Sequence, residues 1–104
     1  MTVEVTLITV TKETNKSGFK QATEHKLNVI CEKKSVKRSE FYNCLKSNII
    51  PKFAFEMYAD EYELTKQVDN DGTHYASKLI YEDEEYEILR TYTDDDFRIE
   101  LITK

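Results

Sequence analysis

The apolar positions of this chain fall in short alternating runs divided by polar stretches, and a period of two predicts β-strands. Val3, Val5 and Leu7 alternate with Glu4 and Thr6, then Ile8 and Val10 shift the pattern. This predicts a first strand over about residues 2–12, with a bulge where the apolar face changes. The polar run ETNKSG at 13–18 supplies Asn and Gly for a turn. A second strand follows over residues 19–33, with Leu27, Val29 and Cys31 on one face and Lys26, Asn28 and Glu32 on the other. The first third of the chain therefore reads as a long antiparallel hairpin.

The stretch 32–57 is the one around which the remainder is arranged. Ser39 is placed to N-cap a helix over about residues 39–47, with Glu40 in its first turn and Lys46 in its last, as the helix dipole favours. Phe41 and Leu45 lie four apart and are expected to share its packed face. Asn48 ends the helix, and Pro51 bars its continuation. So short a helix is marginal alone and needs a partner surface. Phe53, Phe55 and Met57 then alternate along a third strand at 52–57, followed by a turn at 58–61 and a short strand at 62–68. The DNDGT run at 69–73 is the strongest turn signal in the chain. Residues 78–81 and 84–92 read as a strand pair joined by the acidic residues 82–85. In the second of these strands Tyr86, Ile88, Arg90 and Tyr92 are expected on one face. Residues 94–96 turn the chain into a last strand carrying Phe97, Ile99 and Leu101. Residues 1–104 thus form a single domain, mainly β. The expected architecture is a small antiparallel β-barrel or sandwich of about six to seven strands, with one short helix in a long central loop.

Composition sharpens this picture. Seven Tyr and five Phe favour strands, while only two Gly and one Pro favour few strands with long connections over a many-turn meander. The formal charge of −5 argues against tight nucleic-acid binding over the whole surface, because that affinity comes from neutralising phosphates. It suits a wall past which DNA slides. Two cysteines, Cys31 and Cys44, and an opening without a signal peptide point to a reducing, cytoplasm-like compartment. No apolar run approaches the roughly 18 residues of a membrane span.

Tests for enzyme chemistry fail one after another. With Gly72 at the glycine of a calcium loop, the first and last ligand positions fall on Gln67 and Lys78, neither of them acidic. The acidic runs 82–85 and 94–96 sit in turns rather than converging from several rigid elements, as a Mg²⁺ site demands. His25 and His74 lack Cys or acids at zinc spacing. Cys31 alternates with apolar residues as a buried one would, and Cys44 reads as packed rather than nucleophilic. The chain has no phosphate loop and no Ser-His-Asp pattern. It is read as a non-enzyme without cofactor or metal.

What remains is the basic cluster Lys33, Lys34, Lys37 and Arg38, followed by Phe41 and Tyr42. The cluster is read as a solvated face, as a surface that pairs with an acidic edge such as residues 82–85 of a neighbouring copy, or as a DNA contact. Charge complementarity of the second kind sets orientation more than affinity. Of the two aromatics, one packs the helix and the other is a candidate interface anchor.

The middle stretch also resembles a known family. Ser35-Val36, Arg38-Ser39-Glu40-Phe41-Tyr42 and Pro51 before Phe53 and Phe55 are similar to the head-tail adaptor, or head closure, proteins of tailed phages and prophages. Glu61-Tyr62, the run from Tyr86 through Arg90 to Tyr92, and Ile99-Glu100-Leu101 continue the likeness over about residues 27–102. Each motif is weak, and their order and spacing carry the resemblance. It implies a small barrel that joins a homo-oligomeric ring beneath a portal or adaptor ring, contacts tail completion or tail tube proteins, and helps retain DNA. DNA passes through the channel without sequence-specific binding. The protein would occur in host cytoplasm during assembly and then at the head-tail interface of the virion. The connection 35–51 would face the channel or the ring neighbours, with Lys33, Lys34, Lys37, Arg38, Glu40, Phe41, Tyr42, Pro51, Tyr62 and Arg90 as interface candidates. The sequence departs from the family in an extension at 66–77 and in lacking a glycine before Pro51. Two other classes remain open from the residues: a small acidic binding or inhibitor protein that mimics DNA charge, and a Mg²⁺ nuclease.

Overall fold

A computed structural model describes residues 1–14, 18, 20–93 and 97–104. The expected turns at 13–18 and 94–96 fall largely outside the described residues. Six antiparallel strands close into a barrel in the order β1, β2, β3, β8, β7, β6. They are β1 (Thr2–Thr14), β2 (Lys20–Lys34), β3 (Phe53–Tyr58), β6 (Lys78–Tyr81), β7 (Glu84–Thr93) and β8 (Arg98–Thr103). A separate two-stranded ribbon joins β4 (Gln67–Asp69) to β5 (Gly72–His74), and two helices, α1 (Arg38–Lys46) and α2 (Ala59–Glu63), complete the described elements. The sequence alternation sorts side chains as expected. Val5, Leu7, Val29, Cys31, Phe55, Met57, Leu79, Ile99 and Leu101 are buried in one cluster inside the barrel. Phe53, Phe55, Tyr81 and Tyr86 close its lower mouth through edge-to-face contacts with centroids 5.6–6.2 Å apart.

The expected bulge in β1 is absent. β1 and β2 pair without a slip from Thr2 opposite Glu32 to Thr14 opposite Lys20. Thr9 and Thr11 simply occupy inward positions, and their hydroxyls are satisfied. Thr9 Oγ1 donates to the Thr65 carbonyl at 2.6 Å, and Thr11 Oγ1 lies 2.9 Å from His25 Nε2. Ile8 is buried from the outer face instead of marking a change of face.

The bulge lies in β7. Ile88 pairs with Thr103 and Arg90 with Ile102, so β7 spends two residues where β8 spends one. An extra residue reverses which face follows. Tyr86 is buried and Ile88 packs against the core, while Arg90 and Tyr92 turn outward. The four residues expected on one face are thus divided between two.

A single 15-residue strand such as β2 measures roughly 50 Å at about 3.3 Å per residue, which accounts for the 48 Å long axis against 30 and 28 Å across. β6 reaches only Thr6–Ile8 on β1, and β3 reaches only Glu32–Lys34 on β2. The outer part of the hairpin therefore projects as a two-stranded arm. The extension at 66–77 braces its base. The expected strand at 62–68 is instead the end of α2 and a short β4, because the backbone turns at Thr65: its hydroxyl donates to the Tyr62 carbonyl and accepts from the Ala76 amide. The DNDGT run makes the β4–β5 turn, where Gly72 takes φ +125, a value that disfavours any side chain.

Asp69 fastens that ribbon to the arm. Its carboxylate accepts from the Lys12 and Asp71 amides at 2.9 and 2.8 Å and contacts His74 Nε2 at 2.8 Å. The Lys12 amide foremost, with His74, pulls its pKa down to about 2. A depressed carboxylate stabilises the fold above its ordinary pKa and loses that contribution as pH falls through the folded value. Acidification from about pH 5 towards 2 should therefore release the ribbon from β1. Amide protection at Lys12 and Asp71, the intrinsic exchange rate at each pH relative to the observed one, should fall over that window in wild type, and Asp69→Ala should show the low protection already at neutral pH. Equal exchange of the two proteins at neutral pH would contradict the clasp.

Candidate interaction surface

Lys33, Lys34, residues 35–51 and the start of β3 build one surface at the lower end of the barrel. The helix begins one residue before the expected Ser39. Lys37 holds extended geometry and its carbonyl accepts from the Phe41 amide at 2.9 Å, and no side chain caps the end. Its other end follows expectation. Asn48 adopts the left-handed conformation (φ 58), which Asn tolerates better than most residues, and the Asn48 and Ile49 amides return to the Leu45 and Cys44 carbonyls.

The helix does not bury the face that apolar spacing selects. Leu45 is exposed and Phe41 half-buried, whereas Glu40 and Cys44 are buried. The cause is the outward turn of Arg90 and Tyr92 after the bulge. Arg90 Nε pairs with Glu40 Oε1 at 3.1 Å, and the Tyr92 hydroxyl donates to Glu40 Oε2 at 2.5 Å. Arg90 Nη1 donates to the Tyr92 hydroxyl at 3.1 Å, and Cys44 Sγ donates to Glu40 Oε1 at 3.5 Å. A carboxylate leaves water only when paired and hydrogen-bonded, and here it is both. The bond to Glu40 raises the Tyr92 pKa, the Tyr92 bond and the Glu40 charge raise that of Arg90, and desolvation raises that of Cys44. Ala54 and Ile102 pair across β3 and β8 on the outer face, yet both are fully buried. Ile102 is the β8 partner of Arg90, so the Glu40 clamp lies beside this buried pair.

Next to α1 lies a groove of about 420 Å³ lined by Lys33, Lys52, Phe41, Pro51 and Phe53 among others. Lys33 Nζ sits 4.2 Å from the Phe53 ring centroid and 5.0 Å from that of Tyr81, and Lys52 Nζ sits 5.8 Å from Tyr86. Cation–π contact holds an ammonium in place without neutralising it. Lys34 differs, because Glu56 takes its ammonium at 2.6 Å. Lys37, Arg38 and Tyr42 are exposed on the helix, with Tyr42 set edge-on to Phe41 at 6.4 Å. Pro51 is buried.

Nine of the ten sequence candidates thus share this end or its clamp. Tyr62 does not. It lies on α2, beyond the far end of β3, with its ring stacked on Tyr75 and its hydroxyl donated to the Ala76 carbonyl at 2.9 Å. Sequence reasoning missed Tyr92 and Cys44 as partners of Glu40. The Glu40–Cys44 spacing of four was legible, but the bulge that delivers Tyr92 was not. Among the described residues no three His, Cys, Asp or Glu side chains converge as a metal site needs. Compared with known proteins, the chain matches no protein-family model and no curated protein sequence.

Arg90→Ala should lower the urea midpoint, modestly because Arg90 is half exposed while Glu40 is buried. In a double-mutant cycle with Glu40→Gln followed by urea denaturation, the two changes should be less than additive. Strictly additive changes would mean that the pair does not hold the helix.

Proposed function

We propose that this chain is a structural assembly protein of a tailed phage or prophage. On this reading it is a head closure or head-tail adaptor subunit that joins a ring between portal or adaptor and tail and keeps DNA in the filled head. One observation carries the reading: the central blocks of the resemblance converge, although Glu61-Tyr62 lies elsewhere. Ser35-Val36, Phe41 of the Arg38 to Tyr42 run, and Pro51 with Phe53 line one groove, and the Tyr86 to Tyr92 run joins it through Arg90 and Tyr92, which hold Glu40. Blocks that were weak singly become one patch made of separate strands. The fold is a small closed barrel, as the family implies. The arm is consistent with assembly as well. β2 has no ladder partner on its outer edge from Lys20 to Cys31 among the described residues, and an unpaired edge is a template for a neighbouring strand. No catalysis enters this reading. The protein works by where it binds.

The burial of Glu40 and Cys44 changes how the reading is tested. Removing residues 39–48 would strip Arg90 and Tyr92 of their carboxylate partner and confound loss of binding with loss of fold. Substitutions at exposed positions avoid this. The purified protein should join purified portal or adaptor rings of its own particle, measured as an increase in ring mass by light scattering. Lys37→Glu with Arg38→Glu and Tyr42→Ala should abolish joining while leaving the melting temperature within a few degrees, as surface changes usually do. A wild-type protein that ignores every such ring, yet retrieves a single host enzyme from lysate, would favour the acidic inhibitor class.

A further inference from the structure

We propose that the cleft between α1 and strands β7 and β8 receives one arginine guanidinium of a partner protein, with Glu100 as its carboxylate. The partner's identity as a portal, adaptor or tail protein rests on the connector reading, whereas the chemistry of the cleft does not.

Glu40 and Glu100 are the two buried acids among the described residues, 7% and 6% exposed. Glu40 is held by Arg90, Tyr92 and Cys44. Glu100 makes no hydrogen bond and no ion pair among the described residues. The strand register accounts for the difference. Glu100 stands between Tyr92 on β7 and Glu56 on β3, on the outer face of the sheet. Tyr92 donates to Glu40, and Glu56 takes both Lys34 and Arg98. The donors on either side are thus engaged, and the carboxylate between them has none. Burying a charge without a partner is costly, so nothing within the single chain explains the depth of Glu100.

The carboxylate borders a cleft of about 270 Å³ lined by Lys37, Ser39, Glu40, Asn43, Tyr92 and Glu100. Its oxygens open to that space, since Glu61 Oε2 is the one fully enclosed side-chain oxygen without a donor among the described residues. From α1 come the Ser39 hydroxyl and the Asn43 amide, neither of them hydrogen-bonded among the described residues. A pair of carboxylate oxygens flanked by further acceptors suits a donor that is planar, multidentate and positive. A guanidinium carries five N–H donors in a fixed fork that meets a carboxylate through two parallel bonds. An ammonium fits less well, and the cleft itself bears this out: Lys37 lines it without pairing to Glu100. Interface cores are enriched in arginine and depleted in lysine. The occupant is therefore a side chain from another protein.

The test has two arms. In the first, n-butylguanidinium chloride is titrated, at constant ionic strength, into protein isotope-labelled at the glutamate carboxyls. The Glu100 resonance should move and saturate while those of exposed Glu4 and Glu82 stay nearly still. Glu100→Gln breaks no bond of the fold, so it should keep the melting temperature and weaken binding about tenfold or more. n-Butylammonium should bind more weakly than the guanidinium. A Glu100 signal that moves no further than the exposed glutamates, or responds equally to both cations, would overturn the site. So would Lys37→Ala moving that signal as far as the guanidinium does, because Lys37 would then fill the cleft in the free protein. The second arm asks whether a protein supplies the guanidinium. Glu100→Gln should join purified portal or adaptor rings about tenfold or more weakly than wild type, read by light scattering. Joining as tight as wild type would overturn the partner as the source. Wild type that joins no ring, while the cleft still takes butylguanidinium, would overturn the connector reading and leave the cleft standing.

Discussion

A carboxylate withdrawn from water is the constraint on which the working surface depends. Glu40 is 7% exposed, and nothing in an isolated nine-residue helix can hold a charge there. It is tolerated because three donors converge on it: a guanidinium, a phenol and a thiol, the first two from β7. Those two reach the outer face only because β7 carries one residue more than β8 between Ile88 and Arg90. Remove the extra residue and Arg90 would face the barrel interior. The helix would lose its clamp, and the groove the Phe41 side of its wall. A local irregularity of strand pairing thus governs the position of an element some fifty residues earlier in the chain.

The two ends of the molecule are built on different physics. At the lower mouth the core is aromatic and continuous, with Phe53, Phe55, Tyr81 and Tyr86 in mutual contact beneath lysine side chains. Burial there is strong and insensitive to pH. Along the arm the inward positions pass from Leu7 to Thr9 and Thr11, and stability passes from apolar burial to hydrogen bonds with Thr65, His25 and Asp69. Hydrogen bonds exchanged with water contribute modestly, about 1 kcal/mol each. The arm is therefore the part whose opening costs least, and its brace is the one place where an acid with a strongly lowered pKa decides the matter.

The barrel was legible in the sequence wherever one periodicity governed a whole segment. Leu27, Val29 and Cys31, or Phe53, Phe55 and Met57, announce their inner face, and the DNDGT turn and Asn48 announce their breaks by backbone preference. What escaped was set by contacts distant in sequence. The shift at Ile8 and Val10 looks like a bulge because the outer face there is assumed wet, whereas Ile8 is covered. The run from Tyr86 to Tyr92 looks like one face because a bulge leaves no mark in a strand rich in β-formers. Apolar spacing chose Phe41 and Leu45 for the buried helix face, since nothing in residues 38–46 reveals that an arginine waits at position 90. Glu40 could be noticed, and it was singled out, but its burial could not be inferred. In the same way, α2 hides in residues 59–63 because three acids and a tyrosine give no apolar stripe.

Charge follows the same division between local and distant causes. The total of −5 suggests a uniformly acidic particle, yet the fold separates the signs. The end of β2, the loop after it and the start of β3 gather Lys33, Lys34, Lys37, Arg38 and Lys52, while the opposite hairpin ends in Glu82 and Asp83. Both clusters carry a cost in the monomer. Lysines side by side repel, though Lys34 is paired with Glu56 and Lys33 and Lys52 rest on aromatic rings. Left-handed backbone at two L-residues costs about 1 kcal/mol or more at each. Local preference would have placed Asn-Gly in that turn and broken the lysine run. A sequence that departs from local preference on both flanks of one rim, while obeying it throughout the barrel, has that rim shaped by something other than the stability of the single chain.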